Sequence, residues 1–178
     1  MNASELFCYH FAAGGTRPGQ AKGEGAEYIA TARSKEEVLN GIKVVGGDPA
    51  EVDVQSPGPK GIPNVGGSRY IIDTFSEIIE TDGWDKAFAR LRQLGDQVRK
   101  NKSLLLAVVV PDLHQTKELA RLKLWADGVM ELGFDRQGFG LYPYLKVTKM
   151  RGVPDSARFL LFKETDRGLF MESTRRVF

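Results

Sequence analysis

The length, composition and charge of the chain limit the kinds of protein it can be. Its 178 residues are most simply a single domain, 1–178, and 42% hydrophobic with 27% charged residues is typical of an ordinary soluble globular protein. The formal net charge of +2 is too small to indicate nucleic acid binding, and no apolar run approaches the ~18 residues of a membrane span. Cys8 is the only cysteine, which excludes an internal disulfide and favours the cytoplasm.

The first part of the chain combines apolar runs with a helix signal. Glu5 to Ala13 is apolar at nearly every position, so it is compatible with either a helix or a strand. Tyr28 to Thr31 is typical of a short strand. Ser34 and Glu37 then form a capping-box pattern, which predicts that a helix begins at this point.

The most informative stretch is Ser68 to Ser76, with the sequence SRYIIDTFS. Its apolar run Tyr70 to Ile72 does not alternate, which fits a strand buried on both faces of a parallel sheet. Asp73 closes this run, and open α/β sheets bind ligands at the carboxyl ends of their strands. The alternative interpretation is that Asp73 only caps the segment that follows.

The second half of the chain predicts further helices and strands. An amphipathic helix of about four turns is indicated by apolar residues at helical spacing: Trp84, Phe88, Leu91, Leu94 and Val98. Leu104 to Val110 is the most hydrophobic run and predicts a central buried strand. Tyr142 to Met150 predicts a longer strand, and the apolar segments around Asp166-Arg167-Gly168 predict an antiparallel hairpin. Strands alternating with helices before a β-rich tail predict an α/β fold with a mostly parallel sheet.

Several segments resemble the RecA-like ATPase superfamily, and within it the KaiC-like proteins that are common in archaea. Tyr70 to Thr74 resembles the strand that carries the Walker B aspartate. Tyr28 to Thr31, with the Ser34 to Glu37 segment after it, resembles the family's second strand and the following helix start. Ala126 to Val129 resembles the A-D-x-V/I segment, and Lys149 to Gly152 matches the K-M-R-G motif. The resemblance implies a RecA-like sheet flanked by helices, with a C-terminal antiparallel β-hairpin.

The chain departs from the family at the residues that carry its chemistry. No G-x-x-x-x-G-K-[ST] phosphate loop occurs, and by resemblance Glu5 to Ala13 corresponds to the helix after that loop. The first strand and the phosphate loop are therefore expected to be missing. The positions of the family's catalytic glutamates hold Ala32 and Arg33, and a guanidinium remains protonated at any physiological pH. We therefore expect a pseudo-ATPase without hydrolysis.

The resemblance also assigns roles to three polar residues. In the family, the aspartate that Asp73 matches holds Mg²⁺, and the pair that Lys149 and Arg151 match reaches the terminal phosphate bound by a neighbouring subunit. Asp73, Lys149 and Arg151 are therefore candidate vestigial nucleotide or phosphate contacts, and Asp73 is a candidate metal ligand. The alternative interpretation of Lys149 and Arg151, two residues apart on a strand, is a solvated basic edge. No cofactor is expected, and ATP with Mg²⁺ is expected only if the family function is retained.

Three functions remain open at this point. The leading hypothesis is a degenerate ATPase-family domain that acts as a binding or regulatory module. The alternatives are an N-terminally truncated form of an active KaiC-like ATPase and a recombination-type RecA paralogue that binds DNA. A homo-oligomer is expected because a sheet without its first strand exposes strand edges, and because Lys149 and Arg151 match residues used between subunits. Otherwise, Glu5 to Phe11 would form the missing strand.

Overall fold

The computed structural model describes residues 3–14, 25–57, 69–137, 140–153, 158–165 and 168–171. The chain forms two compact units, residues 1–113 and residues 114–178. None of the described helices combines the length and apolarity that would let it cross a membrane.

The first unit is a parallel sheet with helices in the connections between its strands. Its strands are β1 (Ala26–Ala30), β2 (Val52–Gln55), β3 (Arg69–Asp73) and β4 (Leu104–Ala107). Its helices are α1 (Ala3–Ala13), α2 (Lys35–Val44), α3 (Phe75–Asp82) and α4 (Trp84–Asn101). The strand order is β2-β1-β3-β4, and every neighbouring pair is parallel.

Local sequence signals explain where several of these elements lie. Ser34 Oγ accepts a hydrogen bond from the Glu37 amide at 3.3 Å, and a Glu37 carboxylate oxygen accepts one from the Ser34 amide at 2.8 Å. The predicted capping box is therefore confirmed at the start of α2. Tyr70, Ile71 and Ile72 are all buried, as expected of the run that forms β3.

The interpretation of Glu5 to Phe11 as the missing strand is wrong, because this segment lies within α1. Leu6, Tyr9 and Ala13 recur at helical spacing and are all buried. The ring of Tyr9 occupies the space that a side chain would need at Gly41, so α1 and α2 approach closely at that glycine. The burial of one helical face explains why the segment is a helix despite its aromatic content.

The prediction of a central buried strand at Leu104 to Val110 is also wrong. The strand itself, β4, covers only the first four of these residues and lies at the outer edge of the described parallel sheet. Leu104 is 53% exposed, and no residue of β4 is fully buried. Hydrophobicity predicted a strand correctly, but the position of a strand in the sheet depends on long-range pairing that a local run does not encode.

The second unit consists of a helix followed by an antiparallel sheet. Its elements are α5 (Thr116–Trp125), β5 (Gly128–Gln137), β6 (Gly140–Met150), β7 (Arg158–Thr165) and β8 (Gly168–Met171), and its strand order is β5-β6-β7-β8. Thr165 pairs with Gly168, so the predicted hairpin is confirmed, although its turn residues 166–167 lie outside the described residues. The α/β class, the parallel sheet and the C-terminal antiparallel hairpin are as the sequence predicted.

Candidate functional site

The carboxyl ends of β1 and β3 lie side by side in the first unit. Ala30 is in register with Asp73, and the Thr31 amide donates a hydrogen bond to the Asp73 carbonyl oxygen at 2.9 Å. Thr31 Oγ1 also accepts a hydrogen bond from the Thr74 amide at 2.7 Å. This pairing brings the residues that follow β1, including Arg33, next to the end of β3.

Asp73 is a buried carboxylate whose two oxygens differ in their hydrogen bonding. Its exposed fraction is 1%. Oδ2 accepts a hydrogen bond from the Tyr28 hydroxyl at 2.5 Å and pairs with the Arg33 guanidinium. Oδ1 is also buried but has no hydrogen-bond partner within the described residues. The carboxylate is therefore bonded through one oxygen and left with one unused acceptor.

Arg33 connects this carboxylate to α1. Its Nη2 lies 2.7 Å from a carboxylate oxygen of Glu5, while its Nη1 pairs with Asp73. Burial lowers the pKa of Arg33, but the two neighbouring carboxylates outweigh this effect, and the pKa lies above its ordinary value. Arg33 therefore remains a cation, and the cluster of Glu5, Arg33 and Asp73 has a formal charge of −1.

Two further buried groups surround the cluster. Burial raises the pKa of the Cys8 thiol, and the negative charge of Asp73 raises it further. Burial likewise raises the pKa of the Tyr28 hydroxyl, with additional contributions from Cys8 and Asp73. Both groups therefore stay protonated at neutral pH, so neither a thiolate nucleophile nor a tyrosinate base is available here. Cys8 is a free cysteine and is buried.

The other two candidate residues belong to the second unit and make local contacts there. Lys149 Nζ donates hydrogen bonds to the carbonyl oxygens of Lys123 at 3.0 Å and Leu124 at 2.8 Å, near the end of α5. An Arg151 guanidinium nitrogen lies 2.9 Å from a carboxylate oxygen of Asp127. Arg151 directly follows β6, which ends at Met150, and both side chains contact the end of α5 or the segment that joins it to β5.

Sequence reasoning identified only part of this site. It identified Asp73 from its place after an apolar run, and it named Arg33 as the replacement of an expected carboxylate. It did not predict that Arg33 pairs with Asp73, or that Glu5 and Tyr28 take part. The position of Arg33 just after β1 was a usable signal, because neighbouring parallel strands end at one edge of a sheet. No pattern in the sequence points to Glu5.

The chain was compared with known proteins by sequence and by fold. No protein-family model matches the sequence, and no curated protein matches it. Among solved structures, a KaiC-like protein from the hyperthermophilic archaeon Pyrococcus horikoshii OT3 has a similar fold. The alignment covers 96% of this chain and 84% of that chain, with a TM-score of 0.73 and 15% sequence identity.

The chain has a KaiC-like fold. At 15% identity the similarity describes the fold alone. Within this KaiC-like fold, the carboxylate at the end of β3 is paired with an arginine.

Proposed function

We propose that this chain is a KaiC/RecA-like domain that does not hydrolyse ATP and acts as a binding or regulatory module. The observation that supports this proposal most strongly is the pairing of Arg33 with Asp73 and Glu5. A guanidinium placed at that carboxylate supplies the positive charge that a metal ion would otherwise supply. Because Arg33 cannot act as a general base, it also cannot replace a glutamate that activates water.

The residues at the site do not fit a magnesium ion. Mg²⁺ takes six oxygen ligands in a near-octahedral arrangement. Oδ2 of Asp73 is already bonded to Tyr28 and Arg33, and a cation at Oδ1 would lie next to the Arg33 charge. Within the described part of the chain, no group of three or more His, Cys, Asp or Glu side chains is placed to hold a metal.

Weak nucleotide binding is the second part of the proposal. A phosphate loop contributes several charge-assisted hydrogen bonds, each worth about 1.5–3 kcal/mol. The 178-residue sequence contains no such motif, so we expect the affinity of this chain for nucleotides to be lower by orders of magnitude. Lys149 and Arg151 are engaged with the end of α5 and with Asp127, and binding phosphate would require them to leave these partners. We expect a dissociation constant for ATP in the millimolar range or weaker.

Phosphate release with Mg²⁺ and ATP tests the proposal. The wild-type protein should release no more phosphate than a heat-denatured control, and calorimetric titration should detect no micromolar ATP binding. The variant D73A should behave as the wild type in both assays. Phosphate release that is above the control and is abolished by D73A would contradict the proposal and favour an active ATPase.

A further inference from the structure

The C-terminal end of α5 lacks the local cap that many helices have. The last four carbonyl oxygens of an α-helix have no partner inside the helix, and a glycine in a left-handed conformation often ends the chain turn that satisfies them. The residue that caps α5, Ala126, is instead extended, with φ of −60° and ψ of 144°. Its amide donates to the Leu122 carbonyl oxygen at 2.9 Å, and a distant strand reaches the two carbonyl groups that follow.

The donor for these two carbonyl groups is Lys149 of β6. Its Nζ donates to the Lys123 carbonyl oxygen at 3.0 Å and to the Leu124 carbonyl oxygen at 2.8 Å, across 26 and 25 positions of the chain. Two of the three N–H donors of the ammonium are used in this way. The positive charge also lies at the negative end of the helix dipole, where a cation is favoured. Lys149 therefore acts as a C-terminal cap that another element supplies.

A β-bulge lies directly beside this lysine. Val129 of β5 is opposite Lys149, whereas the next residue, Met130, is opposite Val147. Thr148 is therefore the extra residue of the bulge, and its Oγ1 donates to the Val129 carbonyl oxygen at 3.3 Å. Bulges change the direction of neighbouring side chains, which is consistent with a strand lysine that reaches the end of a helix.

The cap matters because α5 is weakly packed. None of its ten residues is buried, and Leu124 in its last turn is 79% exposed. A helix of this length is marginal in water, because most helix stability in proteins comes from packing one face against a core. The order of the last turn of α5 therefore depends strongly on the hydrogen bonds from Lys149.

The side chain of Arg151 contributes less to this end of the helix. Its guanidinium lies 2.9 Å from the Asp127 carboxylate, but the two side chains are 66% and 42% exposed, and exposed pairs stabilise little. The backbone amide of Arg151 also donates to the Asp127 carbonyl oxygen at 2.7 Å. That bond does not depend on the side chain at this position.

We propose that Lys149 is a latch on the last turn of α5. The turn is closed while the ammonium caps the two carbonyl groups, and it opens when the ammonium leaves them. A ligand or partner that takes the Lys149 ammonium must break these bonds, so occupancy of Lys149 and order at the end of α5 are coupled. The latch goes beyond the proposed function and does not depend on whether the chain hydrolyses ATP.

Limited trypsin digestion tests the latch, because Lys123 is a cleavage site inside the latched turn. K149M keeps the apolar stem and removes the ammonium, and K146M, at an exposed residue of the same strand, is the matched control. Cleavage after Lys123 should be about tenfold faster or more in K149M, because charge-assisted hydrogen bonds are lost and cleavage follows the open population. K146M and R151Q should be cleaved at nearly the wild-type rate. A K149M rate equal to that of K146M would overturn the proposal.

Cleavage at a second position separates local opening from global unfolding. Arg92 is an exposed residue in the middle of α4, in the first unit. K149M should leave the rate of cleavage after Arg92 unchanged while it accelerates cleavage after Lys123. Equal acceleration at both positions would mean that the whole protein is destabilised, and would contradict a latch confined to α5.

Lysine acylation tests the latch in the wild-type protein, without any substitution. The Lys149 ammonium must leave its two carbonyl partners before its nitrogen can react, whereas Lys146 is exposed. With an N-hydroxysuccinimide ester as the reagent and mass spectrometry as the readout, Lys149 should react several-fold more slowly than Lys146. The difference should disappear in urea. Equal rates for the two lysines in the folded protein would contradict the proposal.

Discussion

Arg33 is the cation that balances the buried carboxylate charge at the end of β3. It pairs with the buried carboxylate of Asp73 and with Glu5 of α1, so it compensates an interior charge and connects a helix to the sheet. The Arg33 side chain is 19% exposed, so solvent screens its pairs only in part.

Replacing Arg33 by alanine should therefore destabilise the protein strongly. Asp73 would keep the Tyr28 hydrogen bond but lose its cation, and breaking a buried pair in this way costs about 3 kcal/mol or more. The matched control is R99A, which removes an exposed pair with Asp96 on α4 and should change the free energy of unfolding by less than about 0.5 kcal/mol. Urea denaturation at pH 7 measures both values. Similar losses for the two variants would show that Arg33 is an ordinary surface charge.

The buried Cys8 and Tyr28 groups predict how stability depends on pH. Their pKa values are raised in the folded protein, so the unfolded chain loses these protons first. The stability linked to them is fully present below their unfolded pKa values, about 8.5 for a thiol and 10 for a phenol, and is lost as the pH rises above them. The free energy of unfolding should thus fall between about pH 8.5 and 11.

Urea titrations at several pH values in this range check the prediction. The variant C8A serves as the comparison, because it removes the thiol contribution and should make the decline begin at higher pH. A stability that is constant or rises across the range would contradict the assignment of buried, protonated groups.

At the scale of elements, the end of α4 carries a local strain. Lys102, its C-cap, has a left-handed backbone conformation with φ of 57° and ψ of 33°. This conformation is unfavourable for any residue with a Cβ and is usually occupied by glycine at helix ends. K102G should therefore raise the free energy of unfolding by about 0.5–1 kcal/mol.

The control for this substitution lies two residues earlier. Lys100 is inside α4 and is also exposed, so K100G should lower stability by up to about 1 kcal/mol. Thermal unfolding of both variants gives the comparison. If K102G is as destabilising as K100G, the left-handed conformation of Lys102 is not a source of strain.

The elements also show which structural features can be predicted from sequence. Ser34 with Glu37 and the run at Tyr70 to Ile72 were predicted correctly, because a capping box and a buried strand depend on residues close together in the chain. The edge position of β4 was not predicted, because strand order is set by contacts between distant segments. The segment Glu5 to Ala13 stayed ambiguous because its composition suits a helix and a strand equally.

The same distinction applies to the candidate site. A carboxylate at the end of β3 was predictable from Asp73 and the apolar residues before it. Its connection to Glu5 through Arg33 was not, because Glu5 and Arg33 meet only after α1 packs on the sheet. Lys149 and Arg151 were assigned by resemblance, and their roles toward phosphate remain a prediction.

At the scale of the whole molecule, the two units differ in how well they bury apolar residues. Among the described residues, the second unit fully buries only two hydrophobic side chains, Leu145 and Phe162. Phe134 and Leu141 in the same unit are 66% and 63% exposed. A core this small does not stabilise an independent domain. We therefore expect the chain to unfold in one transition, as the single-domain prediction for residues 1–178 requires.

Tryptophan fluorescence can test this expectation, because each unit contains one of the two tryptophans. Trp84 stacks on Phe88 in the first unit, with ring centroids 5.1 Å apart, and Trp125 is the last residue of α5 in the second. The variants W84F and W125F would each keep one fluorophore, and its emission would report the unfolding of one unit. Coincident denaturation midpoints for the two variants would indicate one cooperative domain, whereas separate midpoints would indicate two.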